Sequence, residues 1–192
     1  MPFPDFERSA RALDSKRLGK QRVESLQVLR ALTRDGYGWA SHPVVLMWKG
    51  FEEALGRYGL TCCAVWTERG YGDTCAATIG QDLHEAGIRA VRTQDELAAA
   101  GALPTWLGEA ALHRSHQSSL LRKDPEHYAP LFPGVPDDLP YVWPIRSPTV
   151  VEAERRKAER LRRRRSLAAA KGWRTRRGND TAASGLPDTG RR

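Results

Sequence analysis

Long apolar runs are missing from this chain. No segment approaches the ~18 consecutive apolar residues that read as a membrane-spanning helix, and the first residues lack the basic-then-apolar order of a secretory signal. The sequence therefore predicts a protein without a membrane partner that works in the cytoplasm.

Cysteine is also scarce, with only Cys62, Cys63 and Cys75 among 192 residues. The number is odd, two are adjacent, and no CxxC pair or Cys/His ligand spacing occurs, which excludes a disulfide framework and a zinc site. His113 and His116 are three residues apart and would share a helix face, but no third metal ligand accompanies them. Glycine-rich phosphate loops and dinucleotide fingerprints are lacking too, so we expect buried thiols, no metal and no cofactor.

Alternation of apolar and polar residues, the pattern of a half-buried strand, does not occur either, and the predicted class is all-α. Asp14, Ser41 and the Thr93/Glu96 pair are placed to cap helices. We expect about five helices, near residues 14–34, 41–70, 73–87, 93–101 and 106–124. The proline-rich segment HYAPLFPGVPDDLPYVWP then lies over the helical body with its aromatic side chains as anchors.

The net charge of +8 is concentrated at one end of the chain. Residues 1–146 carry 17 Lys/Arg and 18 Asp/Glu, whereas residues 147–192 carry 14 and 5. We therefore predict two parts, a helical domain over 1–146 and a basic tail over 147–192 that is first a charged helix and then disordered. Such a tail is either a solvated extension or a clamp for a polyanion.

Within the domain, residues 8–34 form a basic segment, with eight Lys/Arg against only Asp14 and Glu24. At ~100° per residue, the helix over this segment turns one side to the core. The predicted core side consists of Leu18, Ser25, Leu26, Leu29 and Leu32, and the opposite side of Lys16, Arg17, Lys20, Glu24 and Gln27. Arg22 projects beside the core side, where an unpaired guanidinium is costly, so it needs a partner or a cleft.

Glu24 has two interpretations. As a surface ion pair with Lys20, four residues earlier, it contributes only ~0.3–0.5 kcal/mol. Alternatively it is a general acid/base within a phosphate-binding surface. A carboxylate does not help a protein bind phosphate, so its presence among these cations indicates chemistry.

Four segments of the chain carry a resemblance to a known family: LDSKRLGKQRVESLQ, GWASHPVVLMWKGFEEAL, RGYGDT and HRSHQSSLLRKDPEHYAPLFPGVPDDLPYVWP. Together they resemble, over about residues 3–145, the bacterial branch of the pyrimidine-dimer DNA glycosylases of the phage endonuclease V type. The resemblance implies an all-α glycosylase and apurinic-site lyase whose amino-terminal amine attacks the sugar C1′, with a glutamate on the first long helix assisting. Glu24 matches that glutamate, and Pro2 supplies the amine if Met1 is removed.

The resemblance also implies damaged double-stranded DNA as the partner and a place near the nucleoid. Residues expected to hold the DNA backbone or to fill the gap left by an extruded base are Lys16, Arg17, Lys20, Arg22, His116, Gln117, Arg122 and Lys123. Trp39 is a candidate stacking platform, and His42 is expected to be structural. The alternative function is a non-catalytic nucleic-acid-binding protein that uses the basic first helix and the tail.

Overall fold

The computed structural model describes residues 1–145 and five single positions further on, Glu152, Arg156, Glu159, Arg160 and Arg163. Residues 1–145 contain eight helices and no strand, which confirms the all-α class. The helices are α1 (Phe6–Ala12), α2 (Ser15–Thr33), α3 (Pro43–Leu46), α4 (Glu52–Glu68), α5 (Cys75–Glu85), α6 (Gln94–Ala99), α7 (Ala110–Lys123) and α8 (Pro125–Tyr128). None of the helices described is both long enough and apolar enough to cross a membrane.

The chain divides into two units, Met1–Ser147 and Pro148–Arg192. In the second unit the five described residues are helical and exposed, and Arg156 Nε donates to Glu152 at 3.0 Å. The predicted disordered end of the tail lies outside the described residues, as does most of the predicted charged helix.

The centre of the first unit is α4, which packs against α1, α2 and α5. The start of α2 is the predicted one, because the Asp14 side chain accepts a hydrogen bond from the Arg17 amide and caps the first turn. The buried apolar residues of α2 are Leu18, Val28, Leu29 and Ala31. Leu26 and Leu32, predicted for the core, are only partly buried, so the core side of α2 is rotated toward Val28.

The predicted second helix is wrong as one element, because α3 and α4 are separate. Helix α3 ends at Leu46, and Gly50, in the turn before α4, has φ +84°, a left-handed conformation that glycine adopts readily. The cap predicted at Ser41 is supplied by His42 instead, whose Nδ1 accepts from the Val44 amide at 3.1 Å. The α4 helix then continues without interruption through Gly59.

Two further boundaries differ from the prediction. Helix α1 was not predicted; it begins after both starting prolines, with Asp5 as its cap and Phe6 buried in the core. Helix α7 begins at Ala110 rather than near Trp106, after Gly108 at φ +105°. The Thr93/Glu96 capping box of α6 is confirmed.

Glycines on α4 allow the neighbouring helices to approach closely. A Cβ placed on Gly56 would lie 2.5 Å from Leu83 Cδ1 and 2.8 Å from Cδ2, and Leu83 is fully buried on α5. A Cβ on Gly59 would meet Ile79 Cδ1 at 2.9 Å. Gly80, on the same α5 helix, has open space around the equivalent position.

This contrast predicts opposite effects for two identical substitutions. Gly56→Ala should lower the free energy of unfolding by ~1–3 kcal/mol because the buried Leu83 has to move. Gly80→Ala should raise it by ~0.5–1 kcal/mol because alanine is the better helix former and meets no neighbour. Urea unfolding of both variants checks the prediction; equal changes in the two would contradict the close packing of α4 on α5.

Candidate active site

A cavity of about 280 Å³ opens beside α2. A second cavity of about 180 Å³ shares part of its wall. The residues common to both walls are Met1, Gln21, Glu24, Tyr58, His116 and Tyr141. The chain's first residue and Glu24 therefore meet at the junction of two cavities, although they are 23 positions apart and belong to different elements.

Glu24 is a partly buried residue of α2 that lines the larger cavity together with Ser25 and Val28 of the same helix. Its carboxylate lies 3.2 Å from Lys20 Nζ, with the two side chains 36% and 74% exposed. The ion pair expected from the sequence is thus present, but at this exposure it contributes little. The same carboxylate belongs to both cavity walls, so the ion pair does not account for its position.

The α-amine of Met1 lies 2.6 Å from His116 Nδ1, and the Tyr141 hydroxyl lies 3.2 Å from the same nitrogen. Burial lowers the pKa of this amine from 8.0 to about 5, although the nearby Cys62 acts in the opposite direction. Burial, followed by the charge of the amine, also lowers the pKa of His116 well below its usual value of 6.5. Near neutral pH the amine is therefore unprotonated and can act as a nucleophile.

Two neighbours of His116 on α7 hold the backbone of the first two residues. His113 Nδ1 donates to the Met1 carbonyl at 3.0 Å, and Gln117 Nε2 donates to the Pro2 carbonyl at 2.8 Å. The Gly108 amide donates to His113 Nε2 at 3.0 Å, which leaves the ring proton of His113 on Nδ1. Pro2 was predicted to supply the amine after removal of Met1. In this structure Met1 carries the amine, and Pro2, the next residue, is buried.

A row of aromatic rings extends along the wall of the larger cavity to the amine. Trp39 stacks on His42 with ring centroids 5.6 Å apart, and His42 meets Trp143 edge-on at 5.9 Å. Trp143 lies 4.8 Å from Tyr141, which lies 4.5 Å from His116. Trp39, at φ +76°, is 52% exposed, so this row offers aromatic surface on which a nucleobase could stack.

Several residues predicted for DNA binding have partners within the protein. Arg17 pairs with Asp14 at 2.6 Å and with Asp124 at 3.4 Å. Arg122 donates to the carbonyls of two residues in the proline-rich segment, Asp137 and Leu139, and so ties that segment to α7.

Arg22 has the partner that its position required. Its guanidinium pairs with Asp73 and lies 4.3 Å from the centre of the Trp66 ring, with the side chain only 12% exposed. The side chain of Arg22 therefore extends from α2 into the protein, where it contacts the loop that precedes α5.

The lysines predicted for DNA binding face outward. Lys16, Lys20 and Lys123 are exposed, and the last two line the smaller cavity together with Arg17. Desolvation, followed by the charges of Arg17 and Lys20, lowers the pKa of Lys123, which indicates that these cations are close together. A cluster of cations beside a cavity suits a phosphate.

The three cysteines are free and buried, and burial raises the pKa of Cys62 and of Cys63 to about 12. Their thiols are therefore protonated and unreactive near neutral pH. Among residues 1–145 and the five later positions, no group of three or more His, Cys, Asp or Glu side chains could hold a metal ion.

A family model described as pyrimidine dimer DNA glycosylase matches residues 1–79. Over residues 1–79 this match confirms the resemblance predicted from the sequence, and it supports a pyrimidine dimer glycosylase role in general. The matched range contains Met1 and Glu24 but not α7, Tyr141 or Trp143. No match was found among curated proteins or among solved structures.

Proposed function

We propose that the protein is a DNA repair glycosylase and apurinic-site lyase that acts on pyrimidine dimers or related base damage in double-stranded DNA. The observation that carries the proposal is the meeting of a buried, neutral α-amine and the Glu24 carboxylate at the junction of two cavities. We further propose that it works in the cytoplasm, on the DNA of the nucleoid.

The reaction begins at C1′ of the damaged nucleotide. The amine nitrogen adds to C1′, the bond between C1′ and the base breaks with its electron pair on the base, and the proton lost by the nitrogen is balanced by one taken up by the base. Protonation of the sugar ring oxygen then opens the ring and gives an iminium between C1′ and the amine. Loss of a C2′ proton expels the 3′ phosphate by β-elimination, and water finally releases the amine and an unsaturated aldehyde.

Glu24 is the group in the shared wall that can transfer these protons. As a carboxylic acid it donates a proton to the sugar ring oxygen, and as a carboxylate it removes the C2′ proton. The ion pair between Glu24 and Lys20 is exposed, so Lys20 can bind a DNA phosphate instead of Glu24. The Glu24 carboxylate can then contact the sugar.

The surroundings of the amine suit a nucleotide that has left the base stack. The aromatic row can receive an unstacked base, because stacking on aromatic rings does not depend on the identity of the base. The cations of the smaller cavity, Arg17, Lys20 and Lys123, can bind a phosphate next to it.

Reductive trapping tests the proposal and its pH dependence. The full chain, with its first residue established by mass spectrometry, is incubated with an abasic or dimer-containing duplex and cyanoborohydride between pH 4.5 and 8.5. We expect a covalent adduct whose rate falls only as the pH drops through about 5, where the amine becomes protonated. An exposed α-amine would already lose its reactivity below ~7.7–8.0.

A duplex with a tetrahydrofuran in place of the abasic sugar is the matched control, because it has no C1′ aldehyde and cannot form an imine. If the protein forms no adduct on any abasic or ultraviolet-damaged duplex, the glycosylase proposal is wrong and the non-catalytic alternative replaces it.

A further inference from the structure

The contacts of α7 with the first residue serve two different purposes. His113 and Gln117 donate to backbone carbonyls and fix where the first two residues lie. Of the residues that the structure describes, His116 is the one hydrogen-bonded to the amine, through Nδ1 at 2.6 Å. The position of the amine and its orientation are therefore set by different side chains.

We propose that His116, held in place by Tyr141, is a positioning residue that orients the α-amine for attack. Its Nδ1 accepts one N–H of the amine, and the nitrogen lone pair is then directed into the cavity that also holds Glu24. The inference rests on the proposed function, but it concerns residues outside the range that the family model matches.

The hydrogen-bond partners of His116 support an accepting role. Both groups that approach Nδ1, the amine and the Tyr141 hydroxyl, can donate a hydrogen to it, and the proposed role requires the tautomer in which the ring proton lies on Nε2 and Nδ1 accepts. That Nε2 is buried without a hydrogen-bond partner among the described residues. A buried polar atom left unsatisfied is an arrangement that requires an explanation. Holding the opposite ring nitrogen against the amine provides one.

The immediate environment keeps both the amine and the imidazole neutral. Burial is the main cause of the lowered pKa of each, and the charge of the protonated amine is the second cause for His116. The other titratable groups around the pair are Glu24, Tyr58, Cys62, His113, Lys123 and Tyr141. Near neutral pH the imidazole can therefore accept an N–H of the amine.

Two substitutions of His116 distinguish the effect of losing the hydrogen-bond acceptor from the effect of changing the size of the side chain. His116→Asn keeps an oxygen or nitrogen at the place of Nδ1, whereas His116→Leu puts a methyl group there. The measurement is reductive alkylation of the α-amine by glycolaldehyde and cyanoborohydride, followed by mass spectrometry of the first peptide between pH 4.5 and 8.5. This reaction needs no DNA, so it is independent of the proposed function.

We expect His116→Leu to slow the alkylation by ~10²-fold, the scale of misplacing a reacting group by ~1 Å, and His116→Asn to stay within tenfold of the unaltered protein. The pH midpoint near 5 should stay in place, since the amine remains buried. Tyr141→Phe, which keeps the ring and removes the hydroxyl, should cause a smaller loss and serves if His116→Leu does not fold. His84→Leu, at an exposed position near the end of α5, is the control and should change nothing.

Alkylation of His116→Leu at the rate of the unaltered protein would overturn the inference. Two other results would also overturn it: an alkylation rate that is as slow in His116→Asn as in His116→Leu, or a pH midpoint of alkylation that moves toward 8 in His116→Leu. Either result indicates that His116 only keeps water away from the amine. If the unaltered protein forms no DNA adduct but its alkylation depends on His116 as described, the proposed function fails and the positioning role stands.

Discussion

Replacing Glu24 with glutamine should lower strand cleavage at a dimer or abasic site by ~10²–10⁴-fold, the usual cost of removing a general acid/base. Glutamine keeps the size of the side chain but cannot exchange protons with the sugar. Binding to the duplex should persist or become tighter, because a negative charge leaves a surface that faces phosphates. Single-turnover cleavage and a separate binding titration measure the two effects.

The loss of the ion pair with Lys20 cannot produce this result, since an exposed pair of this kind contributes at most ~0.5 kcal/mol to stability. Glu126→Gln is the matched control, because Glu126 is exposed and lines neither cavity. Unchanged cleavage by a folded Glu24→Gln protein would remove Glu24 from the mechanism.

Blocking the α-amine should abolish the covalent adduct. Acetylation turns the amine into an amide, whose nitrogen lone pair is delocalised and does not add to C1′. An added Gly-Ser segment also turns this nitrogen into an amide and moves the free amine to a residue further from His116, whose Nδ1 lies 2.6 Å from Met1 N in this structure. Trapping gels and peptide mapping of the adduct measure both.

Cleavage of the added segment by a protease, so that the original first residue is restored, is the control and should recover the adduct. Binding to the duplex should remain in the blocked protein, because Lys20 and Lys123 are unaltered. An adduct that maps to a lysine, or that survives acetylation, would assign the nucleophile elsewhere.

The parts of the fold that follow from nearby residues could be predicted from the sequence. Asp14 caps α2 through the amide three residues later, and the Thr93/Glu96 box has the same spacing, so a short segment contains all the information. The separation of α3 from α4 could not be predicted. The residues around Gly50 have a helical pattern, and this pattern does not indicate that Gly50 adopts a left-handed conformation.

The candidate site shows the same division. The contrast of one carboxylate with surrounding cations indicated Glu24, and the burial of Arg22 indicated that a partner was needed. No local pattern could name Asp73 as that partner, 51 positions away, or bring the first residue to His116. His116 and Gln117 were predicted to bind DNA because they were considered as parts of a helix surface, without the chain start that packs on them.

The contact between residue 1 and residue 116 also sets an order of events during synthesis. Helices α1, α2, α4 and α5 can begin to pack as they emerge. The first residue, however, cannot form its hydrogen bond with His116 until α7 has been made. Until then the chain start projects from the growing protein and is open to the enzymes that trim or acetylate nascent chains. A change made to residue 1 at that stage therefore precedes the formation of both cavities that it lines.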